Sequence, residues 1–396
     1  MILSRVRSSL VMLCLTFWSS TALVTEAQVA TGRVEPEGEI SGGLHPEIVD
    51  VHRIWEAAPH NAFTDLVHWN GALYCAFREG EGHAGDLGKL RVIVSSDGEH
   101  WKSAAWLSME QFDLRDAALS ITPDNRLMVL GGAQQQRDGK RETGTFVSFS
   151  ADGQRFTDPQ IVVPPGRWLW RVSWHGDTAY GVSYGANDDQ PHTELLSTKD
   201  GTTYDVVSQN MFDRGGWPTE ARVRFDNDGT AYCLQRRDGD DHSAYFGIAK
   251  SPYEQWQWHD LGVRIGGPNF VKIPSGDWIA AGRLYDGKVR TELLYLDVAA
   301  RHVTPILQLP SGGDTSYPGM LWHDGMLWVS YYASHEGKTS IYLARVRFPG
   351  VCGNVIDVGN RLEPFVDRHL VSRMTNAELR MHEPVPAEAV LKFDRP

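Results

Sequence analysis

Six times along the chain a tight turn of Gly, Asp or Asn joins two apolar, aromatic-rich runs, at Gly71, Asn125, Gly176, Gly229, Gly276 and Gly325. The intervals are 54, 51, 53, 47 and 49 residues, the mark of one small β unit repeated. The first reads His68-Trp69-Asn70-Gly71-Ala72-Leu73-Tyr74 and the last Trp322-His323-Asp324-Gly325-Met326-Leu327-Trp328. Asn, Asp and Gly tolerate the positive φ of tight hairpin turns, and the flanking Trp, Tyr and Leu suit a half-buried pleated surface. A period near 50 residues is too long for one hairpin and fits four strands with their loops, the blade of a β-propeller. The reading is therefore all-β: a six-bladed β-propeller over residues 51–349, with a short strand at Val51–Trp55 pairing with the last blade to close the ring.

Length alone would allow the 396 residues two or three domains, but a propeller uses about 300 of them as one closed unit. A net charge of −12 and the lack of any basic run argue against nucleic acid as a partner, because phosphate binding needs a basic face. An acidic sugar held by a few local arginines is compatible with that charge.

The N-terminus carries Arg5 and Arg7, an apolar stretch from Leu10 to Trp18, then small residues up to Ala27. That order predicts a signal peptide over residues 1–27, and hence a secreted or periplasmic protein; the stretch is too short for a stable membrane span. Residues 28–50 read as a linker, being rich in Gly, Glu and Pro. Beyond the signal the chain holds Cys75, Cys233 and Cys352, an odd number, and they read as small buried hydrophobes. Residues 350–396 break the repeat, either as the start of a second β domain or as an extension packed on the propeller. The run Asp238-Gly239-Asp240-Asp241-His242 reads as a charged loop tip, and neither a metal nor a cofactor is expected.

Three segments share a Ser/Thr-x-Asp-Gly-x-x-aromatic pattern: Ser95-Ser96-Asp97-Gly98-Glu99-His100-Trp101, Ser150-Ala151-Asp152-Gly153-Gln154-Arg155-Phe156 and Thr198-Lys199-Asp200-Gly201-Thr202-Thr203-Tyr204. The Asp accepts backbone N–H bonds, the Gly permits the reversal and the aromatic seals the hairpin. These turns resemble the Asp-box (BNR) repeats of sialidases, one residue shorter between Asp and Gly, and the resemblance extends over all six blades. It implies an exo-glycosidase that removes a terminal acidic sugar with a Tyr nucleophile, a Glu that takes the Tyr proton, an Asp acid/base and three arginines on the sugar carboxylate. The chemistry is coherent. A carboxylate nucleophile would be repelled by the acid group beside the anomeric carbon, whereas a neutral phenol activated by a buried Glu is not. Arginine forks match a planar carboxylate through paired charge-assisted bonds.

By that resemblance Tyr317, opening the inner strand of the last blade, takes the nucleophile position, Glu220 the activating position and Asp86, on the loop after Arg78, the acid/base position. Arg236 or Arg237 and Arg290 match two of the clamp arginines. The first is missing: where sialidases carry an Arg followed by Ile and Pro, this chain reads Ala62-Phe63-Thr64-Asp65-Leu66. Loss of one fork at a desolvated carboxylate costs several kcal/mol, so contacts from Arg115, Asp116 and Arg171 are expected to compensate. Arg78, Arg283 and His335 are further substrate-binding candidates. Asp65, Asp116 and Glu220 could alternatively form the paired carboxylates of a glycosidase with another sugar specificity. A non-catalytic glycan-binding propeller is the competing class, distinguished by whether Glu220 and Tyr317 reach hydrogen-bonding distance.

Overall fold

The computed structural model describes residues 44–351, apart from 138, 164, 186–191 and 240. The expected signal peptide, most of the linker and the segment from Cys352 onward lie outside these residues. Among them the chain forms six antiparallel four-stranded sheets and no helix. Blades one to five are each four consecutive strands, and the sixth joins Thr315–His323, Met326–Ala333 and Ser340–Arg347 to the N-terminal strand Glu47–Trp55. That closing strand begins at Glu47, inside the stretch read as linker, because residues from Glu47 to Trp55 find partners along Arg347 to Ile341.

The first strands of the blades, His60–Trp69, Asp113–Ile121, Arg167–His175, Pro218–Phe225, Gly266–Lys272 and Thr315–His323, contact one another in a ring around the axis. Between blades the alternate side chains of each sheet bury apolar cores, for example Leu90, Val92, Leu119, Val129 and Phe146 at 4% exposure or less. Cys75 and Cys233 are buried and unpaired within such cores.

Every inner strand carries a β-bulge at the same place. Phe63-Thr64, Asp116-Ala117, Arg171-Val172, Thr219-Glu220, Gly267-Pro268 and Tyr317-Pro318 each set two residues against one on the neighbouring strand. A bulge inserts an unpaired residue and re-aims its side chain. At four of the six the first residue has positive φ: 63° at Phe63, 55° at Asp116, 58° at Gly267 and 52° at Tyr317. Three of those four are not glycine, and such backbone costs on the order of 1–3 kcal/mol each unless its surroundings enforce it.

The three Asp-Gly turns join the third and fourth strands of the first three blades. Ser95 Oγ accepts the Gly98 N–H at 2.8 Å, and Asp97 Oδ1 accepts those of Glu99 and His100 at 2.9 and 2.8 Å. The same set recurs at Ser150 with Asp152 and at Thr198 with Asp200.

Bonds among the inner strands tie the ring together, some between neighbouring blades and some across the axis. Asp65 Oδ2 accepts the Leu119 N–H at 2.9 Å, and Arg171 donates to Asp65 Oδ1 and to the Thr64 carbonyl, both at 2.9 Å. Both members of this pair are 4% exposed or less. Removing one partner of a buried pair strands the other charge, so Asp65→Ala is expected to lower the unfolding free energy by about 3 kcal/mol. A urea titration checks this, and a loss below about 1 kcal/mol contradicts it.

Candidate active site

The bulges deliver side chains to one end of the inner strands, where a cleft of about 180 Å³ opens among Phe63, His83, Arg115, Asp116, Arg141, Trp168, Tyr184, Trp217, Thr219 and Tyr317. At its base the Tyr317 hydroxyl donates a short hydrogen bond to Glu220 Oε1. Glu220 Oε2 accepts from Arg236 Nη1 at 2.7 Å and from the Gly267 N–H at 2.9 Å, and Arg236 Nη1 also lies 3.1 Å from the Tyr317 oxygen. Arg236 is held in turn by Asp238 Oδ1, at 3.1 Å from Nε and 3.0 Å from Nη2. The carboxylate is thereby fixed with one oxygen committed to the cation and amide and the other to the phenol.

Tyr317 is 8% exposed, and burial, with the Glu220 charge next, raises its phenol well above the ordinary value; Arg236 and Arg283 pull the other way. The group is a neutral donor at physiological pH. Arg283 lies over the Tyr317 ring at 5.5 Å, and Phe63 and Trp170 meet that ring edge-on at 5.2 and 5.6 Å. Gly267 has a structural reason: an added Cβ would stand 2.8 Å from Tyr317 Cδ2 on backbone of positive φ.

Asp116 faces the cleft, partly exposed. Burial pushes its carboxyl up to about 6, with Arg115 opposing and Glu220 adding to the rise. A carboxyl that titrates near 6 can hold a proton in mildly acidic water and release it, as a general acid/base must. Asp86 is placed differently. It is not a cleft-lining residue and serves Arg78, which is fully buried: Arg78 donates to Asp86 Oδ1, Asp113 Oδ1 and the Gly82 carbonyl, each at 2.7 Å. Burial alone would raise Asp86, but the Arg78 bond and the Glu81 N–H hold it below the ordinary carboxylate value. Arg78 and Asp86 thus pin the 80–88 loop, which carries His83 to the cleft, where Arg115 Nη2 grips the His83 carbonyl at 2.8 Å.

The remaining candidates divide. Arg283 reaches Tyr332 Oη and the Thr315 carbonyl at 2.7 Å each, beside Asp314. Arg237 turns away to Asp241 and the Ser243 carbonyl, at 2.6 and 2.7 Å. Arg290 pairs with Asp286 and Glu292, at 3.0 and 2.5 Å. Arg171 and Asp65 occupy each other. His335 is exposed, its ring against Tyr342 at 5.0 Å. None of these last five is a cleft-lining residue. The Asp65–Asp116–Glu220 carboxylate set is accordingly not assembled, since the arginine salt bridge retains Asp65.

Sequence reasoning did not single out Arg141, Trp168, Tyr184 or Trp217. Trp217 is flagged only by its place just before Pro218-Thr219-Glu220, and Arg141 comes from a long second-blade hairpin whose reach no local motif announces. Two groups among the described residues have the spacing to hold a cation: His60, His83 and Asp314 beside the cleft, and Asp50, His52 and Glu99. In the first, both imidazoles meet Asp314 Oδ2, at 2.9 and 2.7 Å, and these bonds hold Asp314 well below the usual carboxylate range against the upward push of burial.

The architecture is that of the sialidase-like six-bladed propellers. Solved structures with the same fold include a protein of unknown function from Dyadobacter fermentans, at 17% identity and TM-score 0.68, over 77% of this chain and 99% of that one. The sialidase of Trypanosoma rangeli matches at 15% identity and TM-score 0.57, over 76% of this chain but only 58% of its own length. An α-L-arabinofuranosidase from Fusarium graminearum matches at 14% and 0.58, over 76% of this chain and 98% of that one. At these identities the likeness establishes the fold. No family model matches the sequence, and no curated protein matches it.

Gly267→Ala should therefore move the Tyr317 ring and weaken the amide on Glu220. Its kcat is expected to fall at least 10-fold with little change in KM, whereas Gly276→Ala, in an open turn, should leave kcat within about twofold; equal effects would contradict the packing argument.

Proposed function

We propose that the protein is a retaining exo-glycosidase acting on a glycan with a terminal acidic sugar. The observation that carries this reading is the buried Tyr317–Glu220–Arg236 constellation opening on a cleft with Asp116. In the first step the Tyr317 oxygen attacks the anomeric carbon while its proton passes to Glu220 Oε1. Asp116 gives its proton to the departing glycosidic oxygen, leaving the sugar bonded to Tyr317. In the second step Asp116 takes a proton from water, water displaces the phenol, and Glu220 returns the proton to Tyr317. Arg236 and Arg283 favour phenolate character as it develops. Asp116 replaces Asp86 in the acid/base role because it faces the cleft and its carboxyl is shifted upward.

Arg115 and Arg141, both lining the cleft from the second blade, support an acidic substrate, standing in for the arginine that the first blade lacks. Trp168, Tyr184 and Trp217 offer aromatic faces for a sugar ring. Two of the structural neighbours are glycosidases by name, of different sugars, which agrees with the reaction class and leaves the sugar to this cleft's own residues. The N-terminal segment supports export.

A panel of fluorogenic glycosides, acidic and neutral, tests the reading. Tyr317→Phe is expected to lower kcat at least 1,000-fold on whichever glycoside is cleaved, with the fold intact by circular dichroism; full activity in that variant would sink the Tyr mechanism.

The pH dependence has a defined sign. Asp116 must be protonated to act first as acid, so kcat/KM should fall about tenfold per pH unit above about 6. Asp116→Asn should abolish this limb along with most activity. The same shift links to stability: a carboxyl whose folded pKa is raised stabilises the protein when protonated, and that contribution is lost as pH rises through about 6. Asp116→Asn is thus expected to be more stable than wild type at pH 8, by about 1–2 kcal/mol, and level with it below pH 4. Thermal melts at the two pH values check it, and an equal difference at both would contradict it.

A further inference from the structure

At the other end of the inner strands the axis widens into a chamber of about 860 Å³, separated from the cleft in sequence along every strand. Its walls include Asp65, Arg222, Arg224, Asp226 and Lys272. Two of these charges are settled by each other, Lys272 donating to Asp226 Oδ1 at 2.6 Å, and Asp65 is settled by Arg171 at 2.9 Å. Among the described residues neither Arg222 nor Arg224 forms a hydrogen bond to a carboxylate. Arg222, 4% exposed, donates from Nη1 to the Val172 carbonyl at 3.1 Å, and its Nε, buried, has no partner. Arg224 reaches only neutral acceptors, the Phe270 carbonyl at 2.9 Å and Asn269 Oδ1 at 3.4 Å.

Arg222 is buried and Arg224, two residues on along the same strand, is half-buried; facing one chamber, the two guanidiniums repel each other, and buried charge without a counter-ion is costly. Burial lowers the basicity of both; Arg222 feels the Arg224 cation ahead of the opposing Asp65 charge, and Arg224 feels the Asp65 charge ahead of the Arg171 cation. A guanidinium nevertheless stays protonated at any physiological pH. The complement of such a pair is an anion whose oxygens accept from both forks.

We propose that this chamber is a second ligand site, for a small oxyanion of the phosphate or carboxylate type, held by Arg222 and Arg224. It is independent of the glycosidase reading, since none of its walls belongs to the cleft.

The test titrates wild type with sodium phosphate and, separately, sodium malonate, against sodium chloride at matched ionic strength, following the melting temperature and the heat of binding. Either oxyanion is expected to raise the melting temperature by about 3 °C at saturation, with a calorimetric stoichiometry of one. Arg222→Met should melt at or above wild type in oxyanion-free buffer, because an uncompensated charge has gone, and should lose the response. Arg224→Met should lose it likewise. Arg115→Met, which alters the cleft, should keep it. The proposal is overturned by an equal rise in chloride, by no response in wild type, by an undiminished response in both chamber variants, or by loss of the response in Arg115→Met. A response to phosphate alone or to malonate alone assigns the source of the oxyanion.

Discussion

The repeated bulge in the inner strands is the constraint on which the site depends. A regular strand would alternate its side chains between the two faces of its blade. Setting two residues against one at the same register in all six blades turns Phe63, Asp116 and Tyr317 toward the mouth of the ring, and Gly267 turns its amide there. The positive φ at these positions is local strain sustained by the closed ring, whose inner strands are bonded to one another through Asp65, Arg171 and Asn269.

On that frame the electrostatics separate two carboxylates by their partners. Glu220 is held by a guanidinium, a backbone amide and a phenol, the partners that the proposed proton acceptor needs. Asp116 has no hydrogen-bond partner among the described residues and sits where burial, against the pull of Arg115 and with the help of the Glu220 charge, favours its protonated form. The proposed acid and base thus differ in environment rather than in residue type. The axis continues past the Asp65–Arg171 pair into a chamber where two guanidiniums form no hydrogen bond to a carboxylate among the described residues.

Much of the fold is legible in the sequence because the hairpin turns are local: Gly71, Gly176, Gly229 and Gly325 each adopt the positive φ that their Asn, Asp and Gly neighbourhood implies. The Asp-Gly turns at Asp97, Asp152 and Asp200 are local too. The site is only partly legible. Tyr317, Glu220, Arg236, Asp116 and Arg115 stand at the bulges or beside them and so share a phase with the repeat. Asp86 shares its loop position with the expected acid/base, but a buried arginine eight residues earlier claims it, a contact that no spacing reveals. Arg237 leaves the opposite face of the strand from Arg236, toward Asp241, and Arg290, on a strand of the next blade, is held by Asp286 and Glu292. Arg141 and Trp168 reach the cleft through three-dimensional proximity alone.

In the proposed mechanism the pivotal event is formation of a covalent bond between Tyr317 and the sugar. Its most direct measurement is intact-protein and peptide mass spectrometry after incubation with an activated, ring-fluorinated glycoside of whichever sugar is cleaved, which slows release of the intermediate. The account predicts one added glycosyl mass, located on Tyr317 and absent in Tyr317→Phe. Label on Asp116 or Glu220, or turnover with inversion at the anomeric carbon, would contradict it.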